Sequence, residues 1–405
     1  MVPDGWRVCK LNTLCTSITV GLAISVTPFM RETGVKLIRN QNIKRNKFDE
    51  SSIIYLDDDF AKRNKSKYVK AGDVIAVRTG SNIGESCVVP KHFENSLTFT
   101  TLIARPDKNH LNPYYLSSHI NSEIGISEVN RLMAGGGKPN LNSSELKNYK
   151  ILTPPINEQL KIAKILSTWD KAIYNAEQLI ASCTQQKKWL MQNLLTGKNR
   201  LPGFNNNWVS YSLNRLIKQV KRPVEWNDDD EYKLLSVKRR SEGVILREVL
   251  LGHQILTKKM NIVEEGDFLI SKMQVVHGAM GLVTKAFHKH HISDSYIGLR
   301  SKDESKLNID FFSWYCKQKS IYHKAFLCSY GVHIEKMTFN FSLFMKEEIE
   351  IPSSIEEQKA ITLTLNTADK ELEILNFQLS NLKEEKQELM RQLLTGKIRV
   401  KVEAP

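Results

Sequence analysis

The chain writes one helix ending twice. MQNLLTGKNR runs from Met191 to Arg200, and MRQLLTGKIR runs from Met390 to Arg399. The likeness extends backwards at a constant offset of 199 residues. Between 156–200 and 355–399, 17 of 45 aligned positions are identical and no gap is needed. Among them are Glu158 and Glu357, Gln159 and Gln358, Asp170 and Asp369, Lys187 and Lys386, and Met191 and Met390. A repeat of fixed length constrains the fold more than any other feature, because the chain has to be two half-chains built on one plan.

Both copies read as long helices. Pro154 and Pro155 precede the first, and Pro352, Ser353 and Ser354 precede the second, as helix starts favour. Gly197 and Gly396 stand where glycine ends a helix. Apolar residues recur at 3-4 spacing: Leu166, Trp169, Ile173, Ala176, Ile180, Cys183, Leu190 and Leu194 in the first copy. The second copy gives Leu365, Ala368, Leu372, Leu375, Leu379, Leu382, Leu389 and Leu393. This is a coiled-coil seam of about four heptads. Helices of this length, roughly 55–60 Å, need a partner, and each is the economical partner of the other. Lys187 and Lys386 interrupt the seam at the same phase. Each ammonium either snorkels to water from the seam edge or fixes the register as a polar seam residue.

The segments before the helices are fainter copies of one another. Trp6 and Trp208 each open a segment after a glycine-containing lead. Lys36–Lys47 and Lys233–Arg240 each read as a short apolar strand running into a basic turn. KAGDVIAVR (Lys70–Arg78) parallels EEGDFLISK (Glu264–Lys272): a Gly-Asp turn, a strand, then a basic residue. The expected fold class is α/β: two mixed α/β globules separated by two long antiparallel helices that form a coiled coil, with a pseudo-two-fold internal repeat. The expected domains are residues 1–153, a first spacer helix in 154–200, residues 201–351, and a second spacer helix in 352–405. A pseudo-two-fold would turn two different globules toward one partner, as a dimeric reader of duplex DNA does with two chains.

The composition fits a polyanion partner. The net charge is +14, and both globule segments are basic. No apolar run reaches spanning length, and the MVPDGW start lacks the pattern of a signal peptide, so the expected location is the cytoplasm. The six cysteines form no C-x-x-C pair, which predicts reduced thiols and no zinc site. His288, His290 and His291 have no Cys or Glu at ligand spacing and read as a solvated loop. Asp57, Asp58 and Asp59 likewise read as a solvated loop, and no metal site is expected.

Catalytic motifs are missing. An amino-methyltransferase needs an Asn/Asp-Pro-Pro-aromatic loop around the flipped base. TPPI (Thr153–Ile156) lacks the polar residue and the aromatic, and NPYY (Asn112–Tyr115) lacks the second proline. GGGK (Gly135–Lys138) is not a P-loop, and DESK (Asp303–Lys306) reads as a turn. No catalytic residue is therefore assigned. DNA contact is expected from Lys44, Arg45, Lys47, Lys138, Lys238, Arg239 and Arg240. Basic turns and loops of this kind need only charge to meet phosphate. Arg78 and Lys272, each following a strand, are the base-reading candidates, because either cation can meet the major-groove acceptors of guanine.

Taken together, the paired PPINEQ and PSSIEEQ openings, the paired LLTGK endings and the LPGF…W entry to the second globule resemble the specificity (S) subunits of type I restriction-modification systems. The resemblance covers nearly the whole chain. It implies two target-recognition domains, each reading one half of a split site in double-stranded DNA. It also implies docking of two DNA methyltransferase (M) subunits on the helices, and of restriction (R) subunits through them; since the seam is taken by helix–helix packing, the docking is expected on the outer helix faces. Adenine-N6 methylation would be the work of those partners. S-adenosylmethionine, with ATP and Mg for restriction, is expected on the partner subunits, and no cofactor on this chain. One departure is visible: Glu384, Glu385 and Glu388 make the second helix more acidic than the first, which carries Gln185, Gln186 and Trp189 there. Two other classes fit the residues, a stand-alone DNA-binding regulator with a coiled-coil spacer and a scaffold in which the coil is the function. A tightly held methyltransferase separates the first reading from both.

Overall fold

The computed structural model describes residues 2–133, 140–331 and 337–401. They form two units, Met1–Gln178 with Asn376–Pro405, and Leu179–Leu375. Each unit joins one globule to a stretch of both long helices.

In the first unit, strand Arg7–Lys10 pairs antiparallel with Lys150–Thr153, so the globule's first and last strands close it. An antiparallel sheet follows the order Cys15–Val20, Thr101–Pro106, Val74–Val77, Ser86–Val88. A second sheet is built from Leu97–Thr98, Val35–Ile38, Ile54–Leu56 and Met30–Arg31, with its first pair parallel. Helices Pro113–Ile120 and Glu123–Met133 complete the globule. Asp57 is not in a loop: its carboxylate caps helix Asp58–Arg63, accepting from the Asp59 and Phe60 amides at 3.1 and 3.0 Å. Three acidic residues in a row concealed a cap, because any one of them could start a helix.

The second unit repeats this plan except in one sheet, whose parallel pair lies inside the sheet rather than at its edge. Trp208–Ser212 pairs antiparallel with Glu348–Pro352. One sheet follows Ile217–Val220, Tyr296–Ser301, Phe268–Ser271, Met280–Leu282, and the other Val244–Leu251, Glu231–Val237, His291–Ser293, Met260–Ile262. Helices Ile309–Tyr315 and Lys319–Leu327 occupy the place of the helical pair in the first globule.

The repeat forms the two long helices, Ile156–Leu194 and Ile355–Leu394. In the first unit Asp170 meets Lys386 and Glu177 meets Lys383, so the two helix segments run antiparallel. In the second unit Cys183 meets Glu371 and Lys187 meets Asp369, again antiparallel. The seam varies in depth. Leu166 and Leu365 are fully buried, each inside the core of its own globule. Trp169, Ile173, Ile180 and Leu190 are half-buried, as are Leu372, Leu379 and Leu389, because two helices alone cannot cover both flanks of a seam residue. Gly197 and Gly396 end the repeat with φ of +68° and +70°, which an L side chain resists. A Cβ on Gly396 would lie 2.5 Å from Pro3, and one on Gly197 3.1 Å from Trp208. Among the described residues no helix is long and apolar enough to cross a membrane.

Candidate nucleic-acid and partner interface

The first basic turn is a hairpin of Ile43–Lys44 and Lys47–Phe48. Its tip, Asn46, has φ +57°, which Asn tolerates better than most residues. Asn46 is clamped from below: its side-chain oxygen accepts from Asn121 Nδ2 at 2.7 Å and from Ser117 Oγ at 3.0 Å. Lys44, Arg45 and Lys47 are exposed. Arg45 bonds Glu85 at 3.3 Å, and the Lys47 ammonium stands 4.6 Å from the ring centre of Tyr174 on the first long helix.

The second basic turn follows strand Glu231–Val237. Lys238, Arg239 and Arg240 are exposed. Arg239 donates to Gln274 at 3.1 Å. Arg240 and Ser241 take φ of +58° and +53°, a strained pair for non-glycine residues. Ser241 holds them in place, donating its amide to the Gly278 carbonyl at 2.7 Å and meeting the Tyr322 hydroxyl at 2.7 Å.

The two base-reading candidates are engaged inside their own domains. Arg78 is half-buried and donates to Asn140 and Asn142, both at 3.1 Å. Lys272 is half-buried and donates to the Asp294 carbonyl at 2.5 Å. Lys138 lies outside the described residues. The Gly-Asp turns hold the domains together: buried Asp73 takes a bidentate Arg105 at 2.8 and 2.7 Å, and buried Asp267 takes Arg222 and Arg300 at 2.7 and 2.6 Å.

The repeated residues lock helix ends to helix starts. In the first unit the buried Glu158 carboxylate accepts from Arg399 at 2.7 and 2.9 Å and from the Trp6 indole at 3.0 Å. In the second unit buried Glu357 accepts a bidentate Arg200 at 2.5 Å on each oxygen. Gln159 closes the loop before its helix, accepting from the Asn112 amide and donating to the His110 and Pro154 carbonyls, all at 2.9 Å. Gln358 repeats this with Asn308, Lys306 and Pro352 at 2.9–3.0 Å. The E-Q pair is thus structural: the Glu staples a long helix to the tail beyond LLTGK, and the Gln staples it to its globule. The pairing partners escaped sequence reading, although Arg200 and Arg399 are themselves repeated and signalled a role.

Beside each basic turn lies a cavity. The first, about 770 Å³, is walled by the turn, by residues 121–126 and by the long-helix segments. The second, about 580 Å³, is walled by residues 240–243, by Trp314 and Lys317, and by long-helix residues including Lys187 and Asp369. Among the described residues, no group of three or more His, Cys, Asp or Glu is placed to hold a metal ion.

The chain belongs to the family of the type I restriction modification DNA specificity domain, which it matches twice, over residues 3–185 and 207–384. The type I restriction enzyme MjaVIII specificity subunit of Methanocaldococcus jannaschii is 25% identical over 86% of this chain and 85% of its own. A second chain of that organism, provisionally assigned as the MjaX specificity subunit, is 27% identical over 99% of this chain and 95% of its own. Among solved structures, the S subunit of a type I system from M. genitalium aligns with a TM-score of 0.59 at 14% identity, covering 97% of this chain and 96% of that one. The HsdS subunit of Thermoanaerobacter tengcongensis aligns at 0.50 and 17%, covering 98% of each chain. The fold is the two-domain specificity-subunit fold, and the function is recognition of DNA sequence for a restriction-modification system.

Proposed function

We propose that this chain reads a bipartite, asymmetric DNA site, one half-site per recognition domain, and carries two methyltransferase (M) subunits on the outer faces of its spacer helices. Restriction (R) subunits join through them. The chain itself neither transfers methyl groups nor cuts. S-adenosylmethionine belongs to the M subunits, and ATP with Mg to the restriction step.

One observation carries this reading. The two units share one antiparallel sheet of the same strand order, the helix staples and the ion pairs, yet their recognition domains differ in sequence. A single chain built this way presents two non-identical readers on one repeated frame. Lys44, Arg45, Lys47, Lys238, Arg239 and Arg240 are proposed as phosphate contacts, since all are exposed and need only charge for that role. Arg78 and Lys272 are proposed to read bases. Each would exchange a neutral internal acceptor for a base edge, so truncating either should relax one half-site position rather than weaken binding everywhere.

The test is reconstitution with the cognate methyltransferase subunit. Sequence-specific methyl transfer should require both proteins and be absent with this chain alone. Methyl transfer by the purified chain overturns the reading. Tight, sequence-specific DNA binding by a chain that holds no methyltransferase would make it a regulator instead.

A further inference from the structure

The two basic turns are fastened to their domains in the same way by different residues. In the first unit the turn carries Asn46 at φ +57°, between strands Ile43–Lys44 and Lys47–Phe48. The Asn46 amide donates to the Ser86 carbonyl at 2.9 Å, and Ser86 opens the edge strand of the four-stranded antiparallel sheet. The Asn46 side-chain oxygen accepts from Ser117 at 3.0 Å and Asn121 at 2.7 Å, which lie on and just after helix Pro113–Ile120. In the second unit the turn carries Ser241 at φ +53°. Its amide donates to the Gly278 carbonyl at 2.7 Å, just before the edge strand Met280–Leu282. Its hydroxyl meets that of Tyr322, on helix Lys319–Leu327, at 2.7 Å. One arginine of each turn is tied back as well: Arg45 donates to Glu85 at 3.3 Å and Arg239 to Gln274 at 3.1 Å, both in the connection that leads into the edge strand.

None of these attachments builds a sheet, because Asn46 and Ser241 lie between strands and outside the ladders. Nor does the sequence repeat them: Ser117 and Asn121 do the work in one unit and Tyr322 in the other. A turn that only had to close could use glycine and stay free, since glycine takes positive φ without strain. Here the positive-φ residue is polar and bonded from below, by buried Ser117 and Asn121 in the first unit, while Ser241 is itself buried in the second. Arg240 beside it is strained too, at φ +58°, and such strain persists only where the surroundings over-determine it. What the attachments leave outside is charge: Lys44, Arg45 and Lys47 in one unit, and Lys238, Arg239 and Arg240 in the other, are exposed. Phosphate contacts fix register only if the backbone that carries them is held, and a loose turn would first have to be ordered on binding.

We infer that Ser117 and Asn121 in the first unit, and Tyr322 in the second, are positioning residues for DNA recognition. Each set holds the basic turn of its own domain in the one conformation that sets its cations against the duplex, and so fixes the register of one half-site. This rests on the reading of the turns as phosphate contacts and extends it to the side chains beneath them.

Two substitutions each loosen one turn. Tyr322→Phe keeps the ring and removes the hydroxyl. Asn46→Gly keeps the positive φ and removes the acceptor of Ser117 and Asn121. DNA binding by each chain, in complex with the methyltransferase subunit, is measured on the duplex found by methylation mapping over a range of salt, and on duplexes mismatched in one half-site or the other. Each variant should bind the mapped duplex about three- to tenfold more weakly, as expected when one hydrogen bond that orders the bound form is lost, and with a smaller salt slope. Each should lose discrimination at one half-site only, the two variants at opposite half-sites, while melting as wild type does. A purely structural contact would instead move the melting transition and leave salt slope and discrimination alone. Wild-type affinity and discrimination in folded variants, or equal losses at both half-sites, overturn the inference. Failure of both variants to fold overturns it as well, since the contacts would then be structural; if only one folds, that one decides. Lys44→Ala and Arg240→Ala, read in the same assay, separate this from the reading beneath it. Weaker binding by those two, with wild-type binding by the positioning variants, overturns the inference alone, and unchanged binding by all four overturns both.

Discussion

Lys386 places its ammonium 2.5 Å from the Asp170 carboxylate, and the same pair recurs 199 residues away as Lys187 and Asp369. The lysine that interrupts each hydrophobic seam therefore does not simply reach for water. It takes an acid from the other copy of the helix, and that acid is itself a repeated residue. A shift of either helix by one turn would separate both pairs, so the pairs specify register.

Removing one partner should cost more than removing both. Asp170 is half-buried, and desolvation raises its carboxyl above the usual range against the pull of Lys386. Lys386→Met should cost about 1–3 kcal/mol in chemical denaturation, the penalty for a buried charged group left without its bond. The Lys386→Met/Asp170→Leu double variant should recover most of it. Additive losses in the double variant would show that the two groups act independently.

Position along the seam should set the cost of a cavity. Leu365 lies fully buried in the core of its globule, whereas Leu372 is half-buried on its long helix. Leu365→Ala should lose about 2–5 kcal/mol and Leu372→Ala clearly less. Gln178→Glu, on the exposed face, should leave the melting temperature within a few degrees. Equal losses at Leu365 and Leu372 would contradict the burial gradient.

The two Arg–Glu staples should differ in strength. Arg200 is one-quarter exposed and Arg399 nearly half exposed, and Glu158 keeps the Trp6 indole as a second donor whereas the Trp208 indole nitrogen has no hydrogen-bond partner among the described residues. Arg200→Ala leaves the buried Glu357 carboxylate uncompensated, at about 3–5 kcal/mol. Arg399→Ala should cost less. Denaturation monitored by exchange within each unit separates the two, and a larger loss from Arg399→Ala would contradict the assignment.

Acid should weaken the first unit through His119. The ring is fully buried against the Tyr149 hydroxyl at 2.8 Å, and desolvation holds its pKa down at about 4, from 6.5. A depressed histidine supplies stability that is complete above the unfolded pKa and is lost as pH falls through 6.5 toward 4. That loss amounts to about 3 kcal/mol. Comparing wild type with His119→Gln across this window should show a shallower acid loss in the variant. Parallel curves would exclude the histidine as the cause.

What was legible in the sequence was what is local or repeated. The helices begin at Ile156 and Ile355 and end at Leu194 and Leu394, as the prolines, the 3-4 spacing and the glycines signal, because caps and periodicity act within a few residues. The pairing of Lys187 with Asp369 was half legible: both are repeated, but choosing the partner requires the antiparallel register. Glu158 marks the family, yet its partner Arg399 lies 241 residues away, beyond the reach of spacing arguments. Arg78 shows the limit most plainly. A basic residue after a strand suggests a base reader, and only the fold reveals that Asn140, 62 residues on, already holds it.

The central claim is that two different readers sit on one repeated frame, and methylation-site mapping by sequencing tests it most directly. Cells would express the methyltransferase subunit with three versions of this chain: wild type, one with residues 1–150 replaced by another family member's first domain, and one lengthened by four residues before Ile156. Four residues add about 6 Å of helix, close to two base pairs of rise. The account expects the replacement to change one half-site only, and the insertion to keep both half-sites while widening the unread spacer. An altered pair of half-sites in the replacement, or an unchanged spacer in the lengthened chain, would contradict it.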